Sequence, residues 1–239
     1  MNINMLMQQA KKMQNDMEKA KEEVSKKTFT AKQPLVEVEV NGDTEITKIS
    51  ISKDIEKSKI YFITGSIGSG KTTLLHILAN ILKPTYGEVY YNGVLAKQCK
   101  SKMKKEISIL SQNVKLFENL TVFENILIGT TIFKYKEVIK MMEEFDLIKY
   151  KNSSIYNLSG GEIQKVAILR CIVKTKEVLM LDEPTSYLDE KTSKDIIEFL
   201  KQINRKYKTT IIIVTHDTKL IDKNSYQIKI ENGKIKNIV

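Results

Sequence analysis

Nine residues, Gly65 to Thr73 (GSIGSGKTT), limit what this chain can fold into more than any other stretch. They fit G-x-x-x-x-G-K-[ST], with Gly65, Gly70, Lys71 and Thr72 in the fixed places and the small residues Ser66, Gly68, Ser69 and Thr73 around them. The apolar run IYFIT (60–64) precedes them and reads as a buried strand. LLHILANIL (74–82) follows and reads as a buried helix, with His76 as packing. Between a strand and a helix, small residues let backbone N–H groups curl around a phosphate. The helix N-terminus adds partial positive charge. In that setting Lys71 reaches the β- and γ-phosphates of a nucleotide and Thr72 offers its hydroxyl to Mg²⁺.

A chain of 239 residues holds one full domain plus an appendage, or two small ones. Its longest apolar runs fall far short of the roughly 20 residues that a membrane span needs. No charged-then-apolar leader opens it, so no secretory signal is expected. Cys99 and Cys171 lack metal-type spacing and read as two reduced thiols. The net charge is +10, yet residues 1–57 contain ten lysines and ten acidic residues, so the excess lies entirely beyond them. A basic nucleotide-binding domain docked near an anionic membrane face accounts for that balance as well as DNA binding does.

Two grammars divide the sequence. Leu6, Ala10, Met13, Met17, Ala20 and Val24 form a heptad stripe, which predicts a helix over 1–27 that pairs with a copy of itself or lies on a sheet. Residues 28–34 read as a polar break. LVEVEV (35–40) and EITKISIS (45–52) then read as an antiparallel hairpin around the Asn41-Gly42 turn. From Lys59 strands and helices alternate, which predicts an α/β domain with a mainly parallel sheet. KPTYGEVYYNG (83–93) is a turn, a short strand and another turn. EISIL (106–110) is a strand that delivers Gln112, and KEVIKMMEEFDLI (136–148) is a helix.

Three later stretches complete the candidate site. In LSGGE (158–162), Ser159 and Glu162 have capping-box spacing, and Gly160 and Gly161 leave the backbone bare at the start of a helix, a second anion-binding tip. VLMLDEP (178–184) is an apolar strand ending in Asp182 and Glu183, at the end of a parallel strand where ligands bind. Asp182 suits a Mg²⁺ ligand and Glu183 suits orienting or deprotonating a water. TTIIIVTHD (209–217) is a further buried strand that ends in His216, a γ-phosphate contact.

GSIGSGKTT, Gln112, LSGGE, VLMLDEP, SYLD (186–189) and His216, in that order, resemble an ATP-binding cassette (ABC) ATPase over about residues 58–239. The resemblance implies an α/β P-loop NTPase with a small helical subdomain at about 113–165. It implies ATP and Mg²⁺ as cofactors, with Thr72, Gln112 and Asp182 at the metal. Glu183, Lys71 and His216 are then catalytic. Gln112 also senses a membrane partner. Ser159, Gly160 and Gly161 act on the ATP held by a second subunit, and Asp189 lies at that interface. The expected function is an ATP-hydrolysing transporter subunit, a homodimer at the cytoplasmic face of the membrane beneath a separate permease. The family places an adenine-stacking aromatic upstream of the phosphate loop; here Val40 or Asn41 falls there, and Tyr61 and Phe62 lie on the core strand. Loss of that platform weakens nucleotide binding by roughly 1–3 kcal/mol on the scale of base–aromatic stacking.

MQQAKKMQNDMEKAKEEV, VEVEVNG and ITKISISKDI resemble the front half of the YbaB/EbfC nucleoid-associated proteins, over about residues 5–56, without that family's second helix. This implies a fusion of a head (1–57) with a cassette (58–239), the hairpin 35–52 replacing the cassette's antiparallel β-subdomain. The alternative function is a dimeric DNA-binding protein led by the head.

Overall fold

The computed structural model describes residues 58–238 except 86, 114, 129–134, 176, 223–224 and 232; the head strands at 29–33, 36–40 and 46–51, and residues 236–238, are described as backbone. The heptad helix expected over 1–27 and the Asn41-Gly42 turn lie outside the described residues.

The larger sheet has six strands: β4 (Ile60–Thr64), β7 (Ile107–Leu110), β8 (Val178–Asp182), β9 (Thr210–Thr215), β10 (Tyr226–Glu231) and β11 (Lys234–Ile238). Their order is β11-β10-β4-β9-β8-β7, parallel throughout except for β11. The central strands read as unbroken apolar runs because both faces are covered. Phe62, Leu179, Leu181, Ile211 and Ile213 join one core, which includes Val166, Ile168, Leu169 and Ile196. Tyr61, Ile63, Met180, Ile212 and Val214 join the other, with Leu74, Leu75 and Leu78. Each fully buried Leu or Ile contributes about 1.5–3 kcal/mol, so these two layers hold the sheet, and with it the strand ends, in place.

Six helices cover the faces among the described residues: α1 (Lys71–Leu78), α2 (Lys100–Glu106), α3 (Val122–Leu127), α4 (Tyr135–Glu144), α5 (Gly160–Lys174) and α6 (Glu190–Tyr207). α1 starts behind Gly70, whose φ of 97° is in the left-handed region where a side chain is disfavoured. α3 and α5 both open on capping boxes, Thr121–Glu124 and Ser159–Glu162. The expected EISIL strand begins one residue later than its sequence run, because Glu106 closes α2, a helix with a single buried residue, Met103.

The smaller sheet runs β1 (Phe29–Gln33), β2 (Val36–Val40), β3 (Ile46–Ile51), β5 (Val89–Tyr91), β6 (Val94–Leu95). The expected hairpin is present as the antiparallel pair β2–β3. Residues 28–34 were expected to be a polar break, but Phe29–Gln33 is a strand paired antiparallel with β2, Ala31 opposite Val38. An edge strand tolerates polar and charged residues such as Lys32 and Gln33, which discourage pairing of its open side with another chain. β3 pairs in parallel with β5, Ile49 opposite Val89 and Ser50 opposite Tyr90, so one sheet runs from the head strands into the following segment. No described helix is long and apolar enough to cross a membrane.

Candidate active site

Parallel strands deliver their C-terminal residues to one edge, and the registers decide which residues meet there. Thr64 lies opposite Thr215, and Asp182 opposite Val214, so Gly65, Glu183 and His216 leave adjacent strands side by side. β7 adds its end on the far side of β8, with Leu110 opposite Leu181, two residues before Gln112.

Gly65 cannot carry a side chain: a Cβ there would sit 2.2 Å from the Ile230 carbonyl oxygen and 2.6 Å from Ser69 Oγ. The loop after it is held from within. Lys71, almost wholly buried, donates to the carbonyl oxygens of Gly65 (3.0 Å) and Ser66 (2.9 Å). Ser69 N donates to Ser66 O at 3.2 Å, and the buried Ser69 hydroxyl has no partner among the described residues. A cradle whose ammonium, among the described residues, is satisfied by its own loop, with an unpaired hydroxyl inside, suits an incoming polyoxyanion. Ile67 stands fully exposed at the loop's outer turn.

Thr72 Oγ1 donates to Asp182 Oδ1 at 3.0 Å. Burial pushes the Asp182 carboxyl above the usual carboxylate range. The Thr72 hydroxyl and the charges of His76 and Lys71 act against that, while Glu183 adds to it. A hydroxyl and a buried carboxylate are hard oxygen donors, which fit Mg²⁺. His76, expected to be packing, is half-buried.

Glu183 has a φ of 49°, left-handed backbone that a non-glycine residue adopts at a cost of about 1–3 kcal/mol. Its N–H donates to Val214 O at 2.9 Å, which ties the strained residue to β9. His216 Nδ1 lies 2.7 Å from Glu183 Oε2. An ionised carboxylate only accepts, so Nδ1 donates and Nε2 is left as the second ring nitrogen.

Glu183 also lines a cleft of 320 Å³ with Gln112, Gly160, Gln164, Tyr187 and Leu188. Gln112 and Ser159 are exposed. The α5 tip rests on the turn before α6: Cβ atoms added at Gly160 and Gly161 would lie 3.3 Å from Leu188 Cδ2 and 2.6 Å from Thr192 Cγ2. That turn is closed by Asp189, which caps α6 by accepting from Thr192 N (2.9 Å) and Oγ1 (2.7 Å), bonds that hold its carboxyl below the usual range. The structure therefore brings together the phosphate loop, Thr72, Asp182, Glu183 and His216, and joins Gln112 to the α5 tip through the cleft. Sequence reasoning missed what supports them: Val214, Leu188, Thr192 and the Tyr150 hydroxyl that donates to Glu162. The last of these carries no local signal, since Tyr150 and Glu162 lie 12 residues apart.

A family profile described as ABC transporter matches residues 49–186, and one described as the YbaB/EbfC DNA-binding family matches residues 1–60. The lipoprotein-releasing system ATP-binding protein LolD of Buchnera aphidicola (subsp. Acyrthosiphon pisum) is 36% identical over 211 residues, 82% of this chain and 92% of that one. The methionine import ATP-binding protein MetN of Carboxydothermus hydrogenoformans is 32% identical over 212 residues, 84% of this chain; the match spans 63% of that longer protein. The ATP-binding cassette MJ0796, solved as a dimer in a post-hydrolysis state bound to ADP and Pi, superposes with a TM-score of 0.64 at 27% identity, covering 89% of this chain and 95% of that one. The fold is also that of cbiO1 from Clostridium perfringens, TM-score 0.71 at 24% identity over 88% of each chain.

Proposed function

The chain belongs to the ABC transporter family and is an ATPase; on that premise we propose that it is the ATP-hydrolysing subunit that drives transport through a separate membrane permease. The observation that carries the reading is the single sheet edge where Lys71, Thr72, Asp182, Glu183 and His216 meet. Phosphoryl transfer to water asks mainly for positioning and charge stabilisation. The loop from Gly65 to Thr73 holds the triphosphate, with Lys71 turning its ammonium from the loop carbonyls to the phosphates. Thr72, Asp182 and Gln112 would hold Mg²⁺, which would supply positive charge to offset that of the phosphates. Glu183 orients the attacking water and accepts its proton, and His216 fixes the Glu183 carboxylate at 2.7 Å. Two copies close head to tail, each presenting Ser159, Gly160 and Gly161 to the nucleotide held by the other. The pair works at the cytoplasmic face of the membrane. The protein purified from its own membranes in mild detergent is expected to bring a multi-span protein with it and to release phosphate from ATP. Recovery without any membrane protein, or no ATP turnover, would sink this reading.

We divide the chain into a head, residues 1–57, and a cassette, residues 58–239, with the head strands serving as the cassette's antiparallel sheet. The parallel pairing of β3 with β5 supports this, as does the overlap of the two family matches at residues 49–60. Limited proteolysis between residues 57 and 58 is expected to abolish ATPase activity, because it strips three strands from a five-stranded sheet. Full activity in a fragment freed of the head shows the head to be dispensable.

The match of residues 1–60 to a DNA-binding family is the one observation behind a second reading, a nucleoid-type DNA binder. The balanced charge of residues 1–57 weighs against it, since phosphate contacts need an excess of Lys and Arg. A salt-dependent gel shift with residues 1–57 alone separates the two.

A further inference from the structure

The two capping boxes of this chain are built alike, and one has something the other lacks. In each, the glutamate Oε2 accepts from the cap residue's N–H and hydroxyl at 2.8 Å: Thr121 to Glu124, Ser159 to Glu162. That is a complete box. At Glu124 no third bond is described, and the side chain lies in solvent. At Glu162 the second oxygen, Oε1, accepts from the Tyr150 hydroxyl, a donor from a separate element.

Tyr150 is well mounted for this. It ends a tight turn, Ile148–Tyr150, closed by Tyr150 N to Leu147 O and Lys151 N to Ile148 O, both 3.0 Å. Its ring packs against the core, and Lys149 Nζ lies 4.8 Å from the ring centroid. The same segment is fixed to α3, whose first N–H groups, Val122 and Phe123, donate to Ser153 O (3.0 Å) and Lys151 O (3.1 Å). The phenol thus projects from a turn that is itself hydrogen-bonded to a second helix.

A carboxylate at the tip of α5 is awkward for a helix end that must receive a phosphate, because like charges repel at short range. Burial acts to raise the Glu162 carboxyl. The Tyr150 hydroxyl, then the Ser159 N–H and hydroxyl, then the Lys149 charge outweigh it, so the group stays below the usual range and ionised. Every lone pair drawn toward Tyr150 is charge held back from the open end of the helix. With Oε1 held, the plane of the carboxylate is fixed, and with it the Ser159 hydroxyl that bonds Oε2.

We infer that Tyr150 is a positioning residue for the α5 tip: by donating to Glu162 Oε1 it holds the carboxylate, and through it Ser159, in the orientation that accepts the partner subunit's triphosphate. The inference rests on the proposed role of Ser159, Gly160 and Gly161 across a dimer. Tyr150 itself touches no nucleotide. It therefore acts on closure of two subunits around ATP, and leaves the affinity of the Lys71 loop for ATP as it is.

The test uses the full chain in a Glu183→Gln background, where bound ATP persists, with dimer formation followed by sedimentation against protein concentration. Tyr150→Phe is expected to weaken the ATP-bound dimer about fivefold to tenfold for each of its two nucleotide sites, at most the range of one net hydrogen bond per site. ATP affinity under monomeric conditions should stay within twofold, and the melting temperature should fall by no more than about 2–4 °C, the cost of one hydrogen bond within the subunit. Glu162→Ala removes the group through which Tyr150 acts, so adding Tyr150→Phe to it should cost nothing further. An unchanged dimer constant in Tyr150→Phe overturns the inference. So does an equal loss in the Glu162→Ala background. Failure of the Glu183→Gln protein itself to dimerise with ATP overturns the dimer reading, and this inference with it, before Tyr150 is touched.

Discussion

Glu183→Gln is expected to slow ATP turnover by about 10²–10⁴-fold, the usual contribution of a placed general base, while ATP stays bound and the subunits stay closed. The substitution keeps the shape of the side chain, which matters at this position. Glu183 sits in left-handed backbone, its N–H on Val214 O at 2.9 Å and its carboxylate 2.7 Å from His216 Nδ1. An amide of the same size keeps the strained turn and can still meet His216 through its oxygen. It cannot take a proton from water. The loss therefore falls on the chemical step, and binding is spared. Phosphate release measured at saturating ATP, with size-exclusion chromatography of the same sample, reads both halves of the result. Turnover within threefold of the unaltered protein would remove Glu183 from the role of base.

That pairing of a base with a strained backbone was only partly legible in the sequence. The strands β4, β8 and β9 could be read directly, because a strand covered on both faces must be apolar without interruption, and IYFIT, VLMLD and TIIIVT are. Each of those runs ends on a chemically active residue, which made Gly65, Asp182, Glu183 and His216 visible as candidates. Their adjacency was not legible, since it depends on β9 lying between β4 and β8, a matter of strand order. β1 was misread as a break because FTAKQ lies at the edge of its sheet and needs little apolar content. α2 was missed because KSKMKKE buries one side chain and has no apolar period to detect. No element was predicted after His216, yet β10 alternates with Ile228 and Ile230 inward, and its Ile230 carbonyl is the atom that forbids a side chain at Gly65. The glycine was legible as part of a motif; the reason for it came from a strand 165 residues later.

Lys71→Ala carries the other large effect: nucleotide affinity is expected to fall by about 10²–10³-fold, near 3–4 kcal/mol, within the range for truncating one partner of a buried, hydrogen-bonded charge pair. The lysine lies almost wholly inside the loop, its ammonium on the Gly65 and Ser66 carbonyl oxygens at 3.0 and 2.9 Å. Two consequences follow from the one substitution. The triphosphate loses its only ammonium partner drawn from the loop, and Gly65 and Ser66 lose the donor that gathers their carbonyls inward. The loop's left-handed glycines, Gly68 at φ 79° and Gly70 at φ 97°, remain able to form the turn, so the fold itself should survive. The measurement is the thermal shift on adding MgATP. Saturating ligand at about a thousandfold excess over its Kd stabilises a folded protein by about 4 kcal/mol, and a rise in Kd of 10²–10³-fold removes most of that. An unliganded melting temperature close to that of the unaltered protein, with most of the ATP-induced shift lost, is the expected pair of results. A full shift in Lys71→Ala would mean that the phosphates are gripped by the backbone alone, and the ammonium would then have to be assigned to keeping the empty loop closed.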